Sequence, residues 1–211
     1  LYNSVPDPSS TNFTDGQGYL IRMPNTHPTI PTVWNGNFEG VPNNGYYPIT
    51  LTNAGSTKRF NLLGNPYPSP INMTQFVTDN NTKITGTLYF WRKTNGAGTA
   101  YCTWAGGTFV SNSNAQTVNP NGIIQTGQGF FVEALNASTS IQFNNTQRVS
   151  NTTGQFFKTK QPVTERSTVW LNASNTLGDF SQMAVGYITD ATSGVDVFDG
   201  KYYNDSEFAL N

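Results

Sequence analysis

Three prolines at alternate positions in Asn65-Pro66-Tyr67-Pro68-Ser69-Pro70 forbid both regular structures in one stretch of the chain. Each removes a backbone donor and holds φ at about −65°, so neither a helix nor a continuously paired strand runs through them. The apolar run Phe60-Asn-Leu-Leu63 must therefore end at Gly64 and hand over to a stiff, extended loop. Tyr67, set between two of the prolines, belongs either to a buried corner or to a rigid recognition surface.

The rest of the chain is punctuated in the same manner. Tyr19-Leu-Ile-Arg-Met23, Tyr47-Pro-Ile-Thr-Leu-Thr52, Thr87-Leu-Tyr-Phe-Trp91, Gly129-Phe-Phe-Val-Glu133, Ser140-Ile-Gln-Phe143 and Thr168-Val-Trp-Leu-Asn172 are short, aromatic or β-branched, and bounded by Asn, Gly or Pro. Turn signals separate them at Asn43-Asn-Gly45, Asn95-Gly96, Ala105-Gly-Gly107 and Asn119-Pro-Asn-Gly122. Such spacing predicts an all-β fold, an antiparallel β-sandwich of jelly-roll or immunoglobulin-like type. One helical turn or two is expected near Asn72-Met-Thr-Gln-Phe-Val77, with Asn72 as the cap.

Composition changes at Lys158-Thr-Lys-Gln-Pro162, which is basic, polar and free of large apolar residues. This places a β-sandwich domain at 1–158, a linker at 159–163, and a partial second β domain or docked β extension at 164–211. Glu165, Asp179, Asp190, Asp196, Asp199, Asp205 and Glu207 all follow the boundary, so the two parts differ in charge as well. Strands are expected there at Val169–Leu171, Met183–Ile188 and Val195–Phe198, too few to close a sandwich alone. The opening Leu1-Tyr-Asn-Ser lacks an initiator Met and a signal-like segment, and the chain reads as a piece of something longer.

Asp15-Gly-Gln-Gly-Tyr-Leu-Ile21 returns as Thr126-Gly-Gln-Gly-Phe-Phe-Val132. A dinucleotide loop needs Gly-x-Gly-x-x-Gly opening a helix, whereas both copies lead into strand-like runs. The repeat is therefore expected to be architectural, marking two equivalent turn-to-strand corners.

Chemistry-bearing residues are sparse. Only 11% of the 211 residues are charged and the net charge is −1, so bulk charge attracts neither nucleic acid nor anionic lipid. No apolar run is long enough for a membrane-spanning helix. His27 is the single histidine, lies between Thr26 and Pro28, and has no Gly-x-Ser-x-Gly elbow to serve; a solvent-exposed loop position is expected. Cys102 cannot form an intrachain disulfide and is expected as a small buried side chain. Glu39 and Glu133 are the carboxylates a glycosidase reading would have to bring together, and nothing in their spacing does so. Asp190, Asp196 and Asp199 lie in a Gly-containing stretch suited to an oxygen-only calcium site, although it lacks the EF-hand pattern and a plain solvated loop is the favoured reading. Trp34, Tyr46, Tyr67, Trp91 and Trp104 are the rings that would stack on sugars if they stood exposed in a row.

Leu63-Gly-Asn-Pro-Tyr-Pro-Ser69, Thr85-Gly-Thr-Leu-Tyr-Phe-Trp91, Gly127-Gln-Gly-Phe-Phe-Val132, Phe143-Asn-Asn145, Val169-Trp-Leu-Asn172 and Gln182-Met-Ala-Val-Gly-Tyr-Ile188 occur in an order that resembles large secreted or surface proteins of Bacteroidota. Such proteins typically end in a sorting domain for type IX secretion. The resemblance implies an extracellular or cell-surface location and adhesin-like neighbours, and it transfers no catalytic residue. Two functions are expected from these lines together. One is a non-enzymatic structural or adhesive β module that contacts neighbouring domains, other surface proteins or copies of itself. The other is a carbohydrate-binding module using Trp34, Tyr67, Trp91 and Trp104. No cofactor is expected beyond the calcium weighed above.

Overall fold

Local sequence explains where the strands stop, and pairing explains how they assemble. The computed structural model describes residues 11–20, 39–91, 101–111, 119–137, 139–150, 166–188, 191–201, 208 and 210. Among them the strands are β1 (Tyr47–Thr50), β2 (Phe60–Gly64), β3 (Ile71–Asn72), β4 (Ile84–Trp91), β5 (Tyr101–Ala105) and β6 (Thr108–Val110). They continue with β7 (Ile123–Ile124), β8 (Gly129–Ala134), β9 (Ser140–Phe143), β10 (Arg166–Ser174) and β11 (Phe180–Ile188). Among the described residues one α-helix, α1 (Met73–Asp79), sits between β3 and β4, and a short 3-10 turn spans Asn145–Gln147. Its N-cap is Asn72, whose side chain accepts from the Gln75 amide, as the sequence predicts.

The architecture is an all-β, sandwich-like arrangement of antiparallel sheets, none of them closed. A five-stranded sheet runs in the order β2-β8-β4-β5-β6, and the pairs β1-β9, β3-β7 and β10-β11 stand beside it. Alternation along the central strands sorts their side chains. Leu63, Phe130, Val132, Leu88, Phe90, Cys102, Trp104 and Phe109 turn inward and join one buried cluster. Leu51, Ile141, Phe143, Met73 and Phe76 fill it from β9, the end of β1 and α1. Phe76 links the two layers, edge-on to Phe130 at 5.4 Å and tilted on Phe143 at 5.1 Å.

The proline loop is ordered because Asn65 replaces the donors that prolines lack. Its Oδ1 accepts from the Tyr67 amide, and its Nδ2 donates to the carbonyls of Ser69 and Gln125. Tyr67 lies beneath, 2% exposed, with its hydroxyl donating to the Gly45 carbonyl at 2.7 Å.

The doubled Gly-Gln-Gly has a concrete role. In each copy the glutamine amide closes a four-residue turn, Gln17 onto Thr14 and Gln128 onto Gln125, both at 3.1 Å. Gly16 and Gly127 take the same left-handed φ, 76° and 71°. The two corners then flank one strand: Gly129 pairs with Gly64 on one side of β2, and Gln17 bridges Leu63 on the other.

Some expectations need correction. Val195–Phe198 is a turn, not a strand, because the Asp199 amide bonds back to the Asp196 carbonyl and Asp196 ties the loop to itself. Tyr19 and Leu20 are not in a strand; the first copy contributes only the bridge at Gln17. Residues 21–23, Asn95-Gly96 and the 159–163 linker lie outside the described residues. The segment after residue 164 contacts the first sheet directly: Trp170 Nε1 donates to the Phe109 carbonyl, and the Ser111 amide donates to Gln182 Oε1.

Candidate functional site

Residues on the outer face of the five-stranded sheet follow from register. Phe60 stands opposite Glu133, Leu62 opposite Phe131, Tyr89 opposite Phe131 and Thr103, and Trp91 opposite Tyr101. Trp91 packs edge-on against Tyr101 at 5.0 Å, Tyr101 against Phe131 at 5.7 Å, and Phe60 against Tyr89 at 5.4 Å. This aromatic row is one the expected ring set touched only at Trp91, which is 45% exposed. The rings meet edge to face, so each covers its neighbour's flank and they form no flat shelf.

Glu133 lies in this face, 1% exposed, where β8 faces the irregular stretch of β4 between Ile84 and Leu88. Arg59 Nε at 3.0 Å and Lys201 Nζ at 2.9 Å both bond its Oε1. A buried carboxylate persists only where cations compensate the lost water, and here two do. Tyr89 donates its hydroxyl to the Lys201 carbonyl at 3.0 Å, while burial, and then the Glu133 charge, hold it above the ordinary phenol range. Thr87 Oγ1 bonds the Asp199 carbonyl at 3.4 Å. Residues 197–201 therefore cross the outer face as a strap. Gly106 is what lets them sit so close, since a Cβ there would stand 2.7 Å from the Phe198 ring.

Those contacts decide several sequence expectations. Trp104 is 2% exposed on the inner face and Tyr67 is equally buried, so neither presents a ring to a sugar. They failed as ligand residues because alternation turned Trp104 inward and Asn65 folded the proline loop over Tyr67. Tyr46 is exposed, whereas Trp34 and His27 lie outside the described residues. Cys102 is buried, its thiol donating to the Phe90 carbonyl. Glu39 is exposed and Glu133 is buried and ion-paired.

In the acidic loop, Asp196 turns both oxygens onto its own backbone. Oδ2 accepts from the Thr192 amide at 2.6 Å and from the Thr192 hydroxyl, and Oδ1 accepts from the Phe198 amide at 2.8 Å. These bonds, the Thr192 amide foremost, lower its pKa. Asp199 Oδ2 accepts from the Asp196 amide, and Asp190 lies outside the described residues. Among the described residues no three His, Cys, Asp or Glu side chains gather as a metal-binding group.

A second surface escaped the sequence reading. In the β10-β11 ribbon, Val169 pairs with Val185, Leu171 with Met183, and Ser167 with Tyr187, all on one face. Val169 is 54% and Tyr187 75% exposed, with Leu171 and Val185 also open. The opposite face carries Trp170 and Gln182, which hold the ribbon to β6. The alternation in Thr168-Val-Trp-Leu-Asn172 was visible, yet it gave no indication of which face would remain uncovered. No residue in 167–174 or 180–188 is charged.

No helix among the described residues is long and apolar enough to cross a membrane. Comparison with known proteins finds one family model, described as Domain of unknown function (DUF8693), matching residues 2–211. No curated protein and no solved structure matches the chain.

Proposed function

We propose that this chain, which belongs to the DUF8693 family, is a non-enzymatic structural or adhesive β module of an extracellular or cell-surface protein. The observation that carries the reading is the uncharged apolar face of the β10-β11 ribbon, with Val169, Leu171, Val185 and Tyr187 open to solvent. A two-stranded ribbon is marginal by itself and gains stability when such a face or edge meets further β structure. The placement of polar groups supports the same reading. Asn65, Asn80, Asp196 and Asn61 each bond main-chain groups, and Glu133 anchors the strap, so these side chains serve architecture. The resemblance to secreted surface proteins of Bacteroidota supports the location.

A carbohydrate-binding reading stands second, favoured by Trp91, whose ring is half open beside Tyr101. One experiment separates the two. The purified chain and its Trp91→Ala variant are passed over a glycan and polysaccharide panel and assayed against glycosidase, esterase and peptidase substrates. Silence from folded protein supports the module. Sugar binding lost in Trp91→Ala moves the carbohydrate reading to the front, and turnover lost in Glu133→Gln overturns the non-enzymatic assignment.

A further inference from the structure

Sheet edges are where β proteins risk or recruit pairing, and among the described residues several edges of this fold are guarded. The outer edge of β2 is taken by the first Gly-Gln-Gly copy, through Gly18 N to Leu62 O and Gly64 N to Gly16 O, both at 3.0 Å. Asn61 adds a side-chain amide that bonds both the N–H and the C=O of Thr52. At the far edge, β6 is capped by Trp170 on the Phe109 carbonyl and by Gln182 on the Ser111 amide. β9 is capped by Asn80, whose amide bonds the Gln142 carbonyl and whose carbonyl accepts from the Gln142 amide. β1 carries Pro48, a residue without a donor, as the second of its four residues.

The ribbon's outer strand carries no such guard among the described residues. β11 approaches β6, and its Ser181 hydroxyl accepts from the Leu210 amide, whereas β10 lies outermost. Ser167, Val169, Trp170, Leu171, Asn172 and Ser174 along β10 are all exposed. The strand is nine residues long, on the order of 30 Å, with no proline, glycine, bulge or charge within 167–174 to deter pairing.

We infer that this edge docks a second copy of the chain, joining two ribbons into a four-stranded antiparallel sheet about a two-fold axis through Trp170. Self-complementarity selects that occupant. Antiparallel pairing centred on Trp170 sets Val169 against Leu171 twice and Ser167 against Ala173 on the apolar face, and Thr168 against Asn172 on the other. Centring on Val169 would set Leu171 against Ser167, and centring on Leu171 would set Val169 against the much smaller Ala173, so both bury less apolar side chain between opposed residues. No charge in 167–174 opposes its own image. The pairing also doubles the width of the uncharged apolar face. The inference deepens the structural reading above and rests on it.

The test uses sedimentation velocity over a wide concentration range. Wild type forms a dimer. The Val169→Asp/Leu171→Asp variant, which sets like charges directly opposite, raises the dissociation constant at least tenfold; Val169→Lys/Leu171→Lys does the same. Mixing the two restores a heterodimer, which ties the effect to the register and not to damage. Circular dichroism verifies that both variants fold, the altered positions being solvent-exposed. Disulfide trapping in the Val169→Cys/Leu171→Cys chain yields a covalent dimer, Cys102 being buried. A wild type that is monomeric throughout, an Asp variant that stays dimeric, or a mixture that fails to pair overturns the inference. A monomer leaves the adhesive reading standing with other partners, whereas catalytic turnover would sink that reading and leave the dimer untouched.

Discussion

Replacing Tyr67 with Phe removes one hydroxyl from the centre of the proline loop, and the structure sets what that costs. The ring is 2% exposed, its hydroxyl donates to the Gly45 carbonyl at 2.7 Å, and Arg148 lies over its face at 5.2 Å. Tyr67→Phe keeps the ring, the Arg148 contact and the edge-on packing with Tyr47 at 5.8 Å, and deletes only the hydrogen bond. A net loss of about 1 to 1.5 kcal/mol follows. Tyr67→Ala also removes the buried ring, and by analogy with buried aromatic truncations costs about 3 to 5 kcal/mol. For a chain of this size each kcal/mol lowers Tm by roughly 2–4 °C, so the two variants separate clearly. Urea unfolding followed by tryptophan fluorescence, with the m-value unchanged, gives the free energies.

The same hydroxyl adds a pH arm. Burial first, and then Tyr47, push Tyr67 up to about 12, with Arg148 opposing. In the unfolded chain the phenol ionises near its ordinary value of about 10. Its raised folded pKa therefore contributes stability that is complete below pH ~10 and is lost as pH climbs toward about 12. Tyr67→Phe should lack that part of the alkaline loss. A Phe variant as stable as wild type, or an Ala variant that keeps its stability and loses sugar binding instead, would refute the buried-corner account.

Trp104→Ala should destabilise by about 3 to 5 kcal/mol, while Trp91→Ala, half exposed, should cost far less; comparable midpoint shifts in urea would contradict the assigned faces. Gly18→Ala places a Cβ 2.5 Å from the Leu63 carbonyl oxygen and should strip the first corner from β2, raising hydrogen exchange at the Gly64 amide, which bonds the Gly16 carbonyl. Gly127→Ala meets open space and should cost only about 1–2 kcal/mol through its left-handed φ, a difference calorimetry resolves. Asp196→Asn should blunt the acid sensitivity of the 192–199 loop. The carboxylate's lowered pKa contributes loop stability above its unfolded value of about 3.9 that is lost as pH falls below it, and exchange of the Thr192 amide reports this. Lys201→Ala should loosen the strap more than the sheet, because Arg59 still compensates Glu133, and limited proteolysis should then cut near 197–201 without a matching fall in Tm.

What was legible in the sequence was carried by local rules. Alternate prolines ended β2, Asn72 capped α1, and Gly-Gln-Gly marked corners, because propensity, turn chemistry and side-chain period act over a few residues. The β class was equally visible in composition. Which face of each strand is covered was not, since that depends on partners distant in sequence. Trp91 and Trp104 come from similar aromatic strands, yet Tyr101 and solvent flank one and the core encloses the other. Glu133 looked like any strand carboxylate until residue 201 crossed over it. The two corner motifs look equivalent in sequence, but only tertiary pairing set them on opposite sides of β2 and made one an edge guard. The ribbon's open face and edge have the same origin: alternation specifies that an apolar face exists, and only the packing of Trp170 and Gln182 against β6 decides that the other face is left to solvent.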